Sequence, residues 1–167
     1  WDADFQGQNL WTQFAIKGTG ITGATGNIQN LYFGTTSFAT GYGRDFTITD
    51  TAILDVNLSG ISWWNIANKV VNITTNPNLQ TITMKDGGTI FAGDFYNLSF
   101  HNNDITGHLD LSDVPLNPTQ QCTLTGYNNP NLTEVTAPTG SPAKIGAIYY
   151  YNCAITTING FGVILGT

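Results

Sequence analysis

Short alternating segments recur along the chain, each followed a few residues later by a single closing apolar residue. FTI (46–48) precedes Ile53, VNI (71–73) precedes Leu79, LSF (98–100) precedes Ile105, LTG (124–126) precedes Leu132 and IYY (148–150) precedes Ile155. The closing residues are spaced 26, 26, 27 and 23 apart. Two of them complete near-copies of one stretch, NPNLQTI (76–82) and NPNLTEV (129–135). Alternation of apolar and polar positions is the mark of a half-buried strand. A fixed period of this size marks a solenoid, in which each coil buries its apolar edge only against its neighbours. The pattern predicts a mainly β chain wound as a right-handed parallel solenoid, leucine-rich-repeat-like or β-helix-like. It has five to six coils of about 26 residues, with few or no helices.

Three residues before each closing residue stands Asp50, Asn76, Asn102, Asn129 or Asn152. Asn and Asp tolerate left-handed backbone and bond nearby backbone groups, so these five are read as structural corners. Stacked corner amides would also satisfy backbone groups turned inward at the bend. The NPNL coils hold one extra residue at the corner, which starts their strands one place earlier. One strand face then reads Phe46, Ile48, Val71, Ile73, Leu98, Phe100, Leu124, Gly126, Ile148 and Tyr150, the expected core. The other reads Thr47, Thr49, Asn72, Thr74, Ser99, His101, Thr125, Tyr127, Tyr149 and Tyr151. With coils about 4.8 Å apart, these outward residues would form two ladders, polar at one end and aromatic at the other.

The chain reads as one domain, 1–167. Residues 1–12, rich in Trp and Phe, are expected to cap the open end of the stack, since an uncapped end exposes strand edges. Residues 13–45 form an irregular first coil, with Ile21 as a weak closing residue and Gly18 at its corner. The stretch NIQNLYFGTTSFATGYGR (27–44) is expected to leave the stack as a long loop. Residues 46–160 are the repeat and 161–167 the C-terminal end. The return arms are rich in Pro and Gly and read as loops and short extended pieces, with WWNIANKV (63–70) the one candidate short helix.

LSFHNNDITGHLDLS (98–112) and NPNLTEV resemble leucine-rich repeats, whose alternating Leu, then Asn, then Leu is echoed by Leu98, Phe100, Asn103 and Ile105. They look most like the divergent NPNLT-style repeats of bacterial surface and secreted proteins, over roughly residues 46 to 160. The resemblance implies a non-catalytic recognition or scaffold role, with contacts made by the exposed face of the strand sheet.

Composition narrows the partners. Charged residues are only 10% of the chain, while 25 Thr, 18 Asn and 19 Gly supply its polarity, so the surface is built of hydroxyls and amides. Five basic against eleven acidic residues give a net charge of −6. No basic run neutralises successive phosphates, so nucleic acid is not an expected partner. No window reaches the ~18 apolar residues of a membrane-spanning helix, and membrane insertion is not expected.

Candidate chemistry is sparse. His101 points outward and His108 lies beyond the corner, so with Asp104 and Asp110 they do not converge, and no metal site is expected. No strand-turn-helix elbow presents a nucleophile, and nothing selects a carboxylate pair for glycoside hydrolysis. Cys122 and Cys153 fall ten before Leu132 and two before Ile155, positions that adjacent coils do not stack, so two thiols are expected rather than a disulfide. The expectation is a non-enzymatic protein without cofactor, extracellular, at a cell surface or in a virion. Its candidate binding face is Thr74, His101, Thr125, Tyr127, Tyr149 and Tyr151, because Tyr joins a large apolar ring to a hydrogen-bonding tip. The expected partner is a protein or glycan. The alternative is a structural subunit of a virion, fibre or surface layer, joining copies of itself through the sheet face or coil ends.

Overall fold

The computed structural model describes residues 3–4, 9–10, 13–17, 30–32, 37–38, 45–58, 69–84, 95–114, 116, 121–138 and 144–161. All named elements among them are strands. In chain order these are β1 (Ala3–Asp4), β2 (Asn9–Leu10), β3 (Gln13–Lys17), β4 (Asn30–Tyr32), β5 (Ser37–Phe38), β6 (Asp45–Thr49), β7 (Asp55–Asn57) and β8 (Lys69–Thr74). There follow β9 (Thr81–Thr83), β10 (Phe95–Ser99), β11 (Gly107–Asp110), β12 (Gln121–Thr125), β13 (Leu132–Thr136), β14 (Lys144–Tyr149) and β15 (Thr157–Asn159). Every pairing between them is parallel.

One strand from each pass of the chain enters a six-stranded sheet in the order β3-β6-β8-β10-β12-β14. Its register pairs Phe14 with Phe46, Phe46 with Val71, Val71 with Leu98, Leu98 with Leu124 and Leu124 with Ile148. The steps are therefore 32, 25, 27, 26 and 24 residues, the β-solenoid that the spacing predicts. After each corner the chain returns through a second parallel layer. Its strands form a four-stranded sheet, β1-β4-β7-β9, and a three-stranded sheet, β11-β13-β15.

Alternation decides what each coil buries. Phe46, Ile48, Val71, Ile73, Leu98, Phe100 and Leu124 have no exposed surface, and the closing residues Ile53, Leu79, Ile105 and Leu132 are equally buried. From the second layer, Val56 stacks on Ile82 and Leu109 on Val135. Burying each such side chain stabilises by roughly 1.5–3 kcal/mol. Because the contacts run from coil to neighbouring coil, that stabilisation is distributed along the stack.

The pairings at the N-terminal end add strands to the two segments expected as loop and cap. Residues 27–44 do not simply leave the stack: Asn30–Tyr32 pairs with β1 on one side and β7 on the other, and Ser37–Phe38 pairs with β2. By the same pairings residues 1–12, expected as a cap, supply two strands. Strands of two or three residues carry too little alternation to stand out in a Gly- and Thr-rich stretch. The weak coil at Gly18 and Ile21 lies outside the described residues, as do the first six residues of WWNIANKV, whose last two, Lys69 and Val70, begin β8.

Candidate recognition face

The corner consists of two adjacent positions with different work. Asp50, Thr75, Asn102, Asn128 and Asn152 hold φ between 55° and 59° and make the left-handed bend. The next residue on, Thr51, Asn76, Asn103, Asn129 or Cys153, points inward; the first four are buried. Backbone bridges pair Asn76 with Asn103 and Asn129 with Cys153. Of the predicted corners, Asp50, Asn102 and Asn152 thus make the bend, while Asn76 and Asn129 belong to the buried ladder.

Each inward amide ties two coils together. Asn76 Nδ2 donates to the carbonyls of Ile48 and Thr74 at 3.1 and 3.0 Å. Asn103 donates to Ile73 and Phe100 at 2.7 and 2.8 Å, and Asn129 to Phe100 and Gly126 at 2.9 and 2.8 Å. Their Oδ1 atoms accept from the previous coil: from the Thr51 amide at 3.0 Å, the Asn76 amide at 2.9 Å and the Ile105 amide at 3.2 Å. Ile48, Ile73, Phe100 and Gly126 are equivalent strand positions whose carbonyls turn into the core at the bend. The inward side chain of the following coil satisfies each, as buried backbone groups require. In the last coil the Cys153 thiol takes the amide's place, donating to Gly126 O at 3.2 Å.

A second amide ladder runs outside. Asn128 Nδ2 donates to Asn102 Oδ1 at 2.7 Å and Asn152 Nδ2 to Asn128 Oδ1 at 2.8 Å. Sequence reasoning missed Asn103, Asn128 and Cys153 as ladder positions. The signal was the doubled Asn of HNN (101–103) and YNN (127–129), in which the first residue bends and the second points in.

On the outer face of the long sheet, the predicted binding residues fall into two adjacent ladders. Tyr149 lies in one with Thr125, which is buried rather than exposed as expected; Thr74, His101, Tyr127 and Tyr151 lie in the other. In the second, His101 stacks on Tyr127 with ring centroids 4.5 Å apart and planes 3° from parallel. Tyr127 stacks in turn on Tyr151 at 4.6 Å and 5°. This separation is close to the spacing of neighbouring strands, which forces identical rotamers on successive coils into face-to-face register. Both faces of Tyr127 are covered, so the column offers its ring edges outward. Tyr149 and Tyr151, 49% and 55% exposed, make the aromatic end of this face. Toward the other end it becomes the half-buried Thr49, Thr74, Thr47 and Asn72.

The His101 ring is partly desolvated, which lowers its pKa below the usual 6.5, and its Nδ1 is buried without a hydrogen-bond partner. It therefore sits in the column as a neutral imidazole. His108 lies in β11, in the other layer, with Nε2 2.8 Å from Thr136 Oγ1 and 3.9 Å from Glu134 Oε1. The two histidines do not converge, and among the described residues no three His, Cys, Asp or Glu side chains group as metal ligands. Cys122 and Cys153 are both thiols; Cys122 is buried, and burial pushes the Cys153 thiol above its ordinary pKa.

No family model matches the chain. No curated protein and no solved structure matches it.

Proposed function

We propose that this chain is a non-enzymatic extracellular module that recognises a protein or glycan through the aromatic end of its long sheet. The stacked column of His101, Tyr127 and Tyr151, with Tyr149 beside it, carries the reading. Those rings are held in register by the strands beneath them, so little side-chain freedom is lost when they meet a partner. The surroundings are hydroxyls and amides, and the contact would be made by ring edges and phenol hydroxyls rather than by a sugar stacking on Tyr127. A return arm that carries strands supports a β-helix-like form of the repeat, because a leucine-rich repeat returns through a helix or 3₁₀ turn.

Affinity electrophoresis through gels cast with soluble polysaccharides is the direct test, with the Tyr149→Ser, Tyr151→Ser double variant alongside. Retardation of the parent in at least one polysaccharide, lost in the variant while its melting is unchanged, supports a glycan-binding face. Equal mobility of parent and variant in every gel removes the glycan half of the proposal and directs the search to protein partners.

A further inference from the structure

We propose that Asn159 is a site of spontaneous deamidation, where the side-chain amide becomes a carboxylate without an enzyme. Of the 18 asparagines it alone is followed by glycine. The reaction begins when the backbone nitrogen of the next residue attacks the side-chain amide carbon, an approach that a following side chain obstructs; Gly160 has none. Asn76 and Asn129 precede prolines, whose nitrogen has no proton to lose. Asn76, Asn103 and Asn129 are also buried, whereas Asn159 is exposed. It ends β15, a strand of three residues exposed throughout, and Gly160 leaves the strand at a φ of 77°. The Asn159 carbonyl accepts from the Ala137 amide at 2.9 Å, so in a planar trans peptide the Gly160 N–H points away from β13. A strand this short and exposed opens readily, which lets the side chain fold back onto that nitrogen.

Water is the one co-reactant. The Gly160 nitrogen gives up its proton and bonds to Asn159 Cγ, the Cγ–Nδ2 bond breaks, and ammonia leaves with that proton, closing a succinimide ring. Water then opens the ring at either carbonyl, giving aspartate or isoaspartate. The surroundings give this change a consequence. Asn159 Nδ2 donates to Glu134 Oε1 at 2.7 Å and so ties β15 to β13. After deamidation the donor is gone and two carboxylates face each other across neighbouring strands, a destabilising pair. Isoaspartate also routes the backbone through an extra carbon, which upsets the register of Val135 with Ile158 and of Thr136 with Asn159. The reaction therefore loosens β15 from β13 and does not reverse. It does not depend on ligand recognition by the long sheet.

Peptide mapping by mass spectrometry tests this on the full chain held at mildly alkaline pH, in native buffer and in urea, with Asn159→Gln alongside. Gln keeps the amide but would have to close a larger ring. The expected result in native buffer is conversion of Asn159 about tenfold or more faster than any other asparagine, to a mixture of aspartate and isoaspartate, with the same peptide unchanged in Asn159→Gln. An Asn159 that converts only in urea, that is outpaced by another asparagine, or that yields aspartate alone overturns the site. Hydrogen exchange at the Ala137 amide reads the consequence, because that amide donates to Asn159 O. It should quicken about tenfold in Asn159→Asp and return toward the parent in the Asn159→Asp, Glu134→Gln double variant. Unchanged exchange in Asn159→Asp, or no recovery in the double variant, overturns the loosening by paired carboxylates.

Discussion

Tyr150 lays its ring in the space that a side chain on Gly126 would fill: a Cβ added to Gly126 runs into Cε1 and Cδ1 of that ring. The two residues stand on adjacent coils at the strand position that Ile48, Ile73 and Phe100 occupy elsewhere. The large ring of one coil thus replaces the missing side chain of its neighbour. Gly126→Ala should destabilise the protein by about 1–3 kcal/mol, the usual effect of overfilling a packed core. Tyr150→Phe should not destabilise, since the phenol oxygen is buried without a hydrogen-bond partner, a cost of about 1–3 kcal/mol that the substitution removes. Urea midpoints of the two variants decide; a loss in Tyr150→Phe comparable to that in Gly126→Ala would show that the hydroxyl is satisfied.

Neighbouring asparagines should respond very differently. Asn103→Ala removes the side-chain donor to the buried carbonyl of Ile73, one of the two donors to Phe100 O, which keeps Asn129, and the acceptor of the Asn76 amide, and should cost roughly 2–4 kcal/mol. Asn102→Gly keeps the left-handed bend and loses one part-exposed bond from Asn128, so it should cost under about 1 kcal/mol. Equal losses in denaturant unfolding would mean that the inner ladder has no special part in joining the coils.

The strand register and the two faces of the long sheet were legible because each coil repeats the alternation of its neighbour, as Phe46, Val71 and Leu98 show. The extra residue of the NPNL coils was legible too, but its place within the corner was not. Counting back from Leu79 and Ile105 aligns Asn76 with Asn102, whereas the extra residue falls between Asn76 and Leu79 and aligns Asn76 with Asn103. Only backbone geometry separates a residue that bends from one that points in. The ring column was visible as three outward positions, but its closed faces follow from rotamers, which periodicity does not encode. The strands at Asn30–Tyr32 and Ser37–Phe38 are too short for a period to appear.

Cys153 occupies the inner-ladder position held by Asn76, Asn103 and Asn129, and its thiol is a weaker donor to Gly126 O than an amide. Cys153→Asn should raise stability by about 0.5–1.5 kcal/mol, the net worth of a typical hydrogen bond. A second acceptor lies within reach of this position, since the Cys153 sulfur is 3.5 Å from Tyr151 O. A lower urea midpoint in Cys153→Asn would show that the last coil shapes this site for sulfur.

His101 gives the fold a dependence on pH whose sign is fixed by its surroundings. Burial lowers its pKa from the ordinary 6.5, so the folded protein binds this proton less well than the unfolded chain does. The contribution of the neutral ring is complete above about pH 6.5 and is lost as pH falls through the lowered folded value. Protonation would also place a charge at Nδ1, which is buried and has no partner. His101→Phe keeps a flat ring against Tyr127 and cannot titrate. Melting midpoints of parent and variant at constant ionic strength should run in parallel from about pH 8 to about pH 7 and diverge below about pH 6.5, the parent falling faster. Every other ionisable group is common to the two proteins and cancels in the difference. Curves that stay parallel down to about pH 5 would mean that the imidazole is as well solvated in the column as in the unfolded chain.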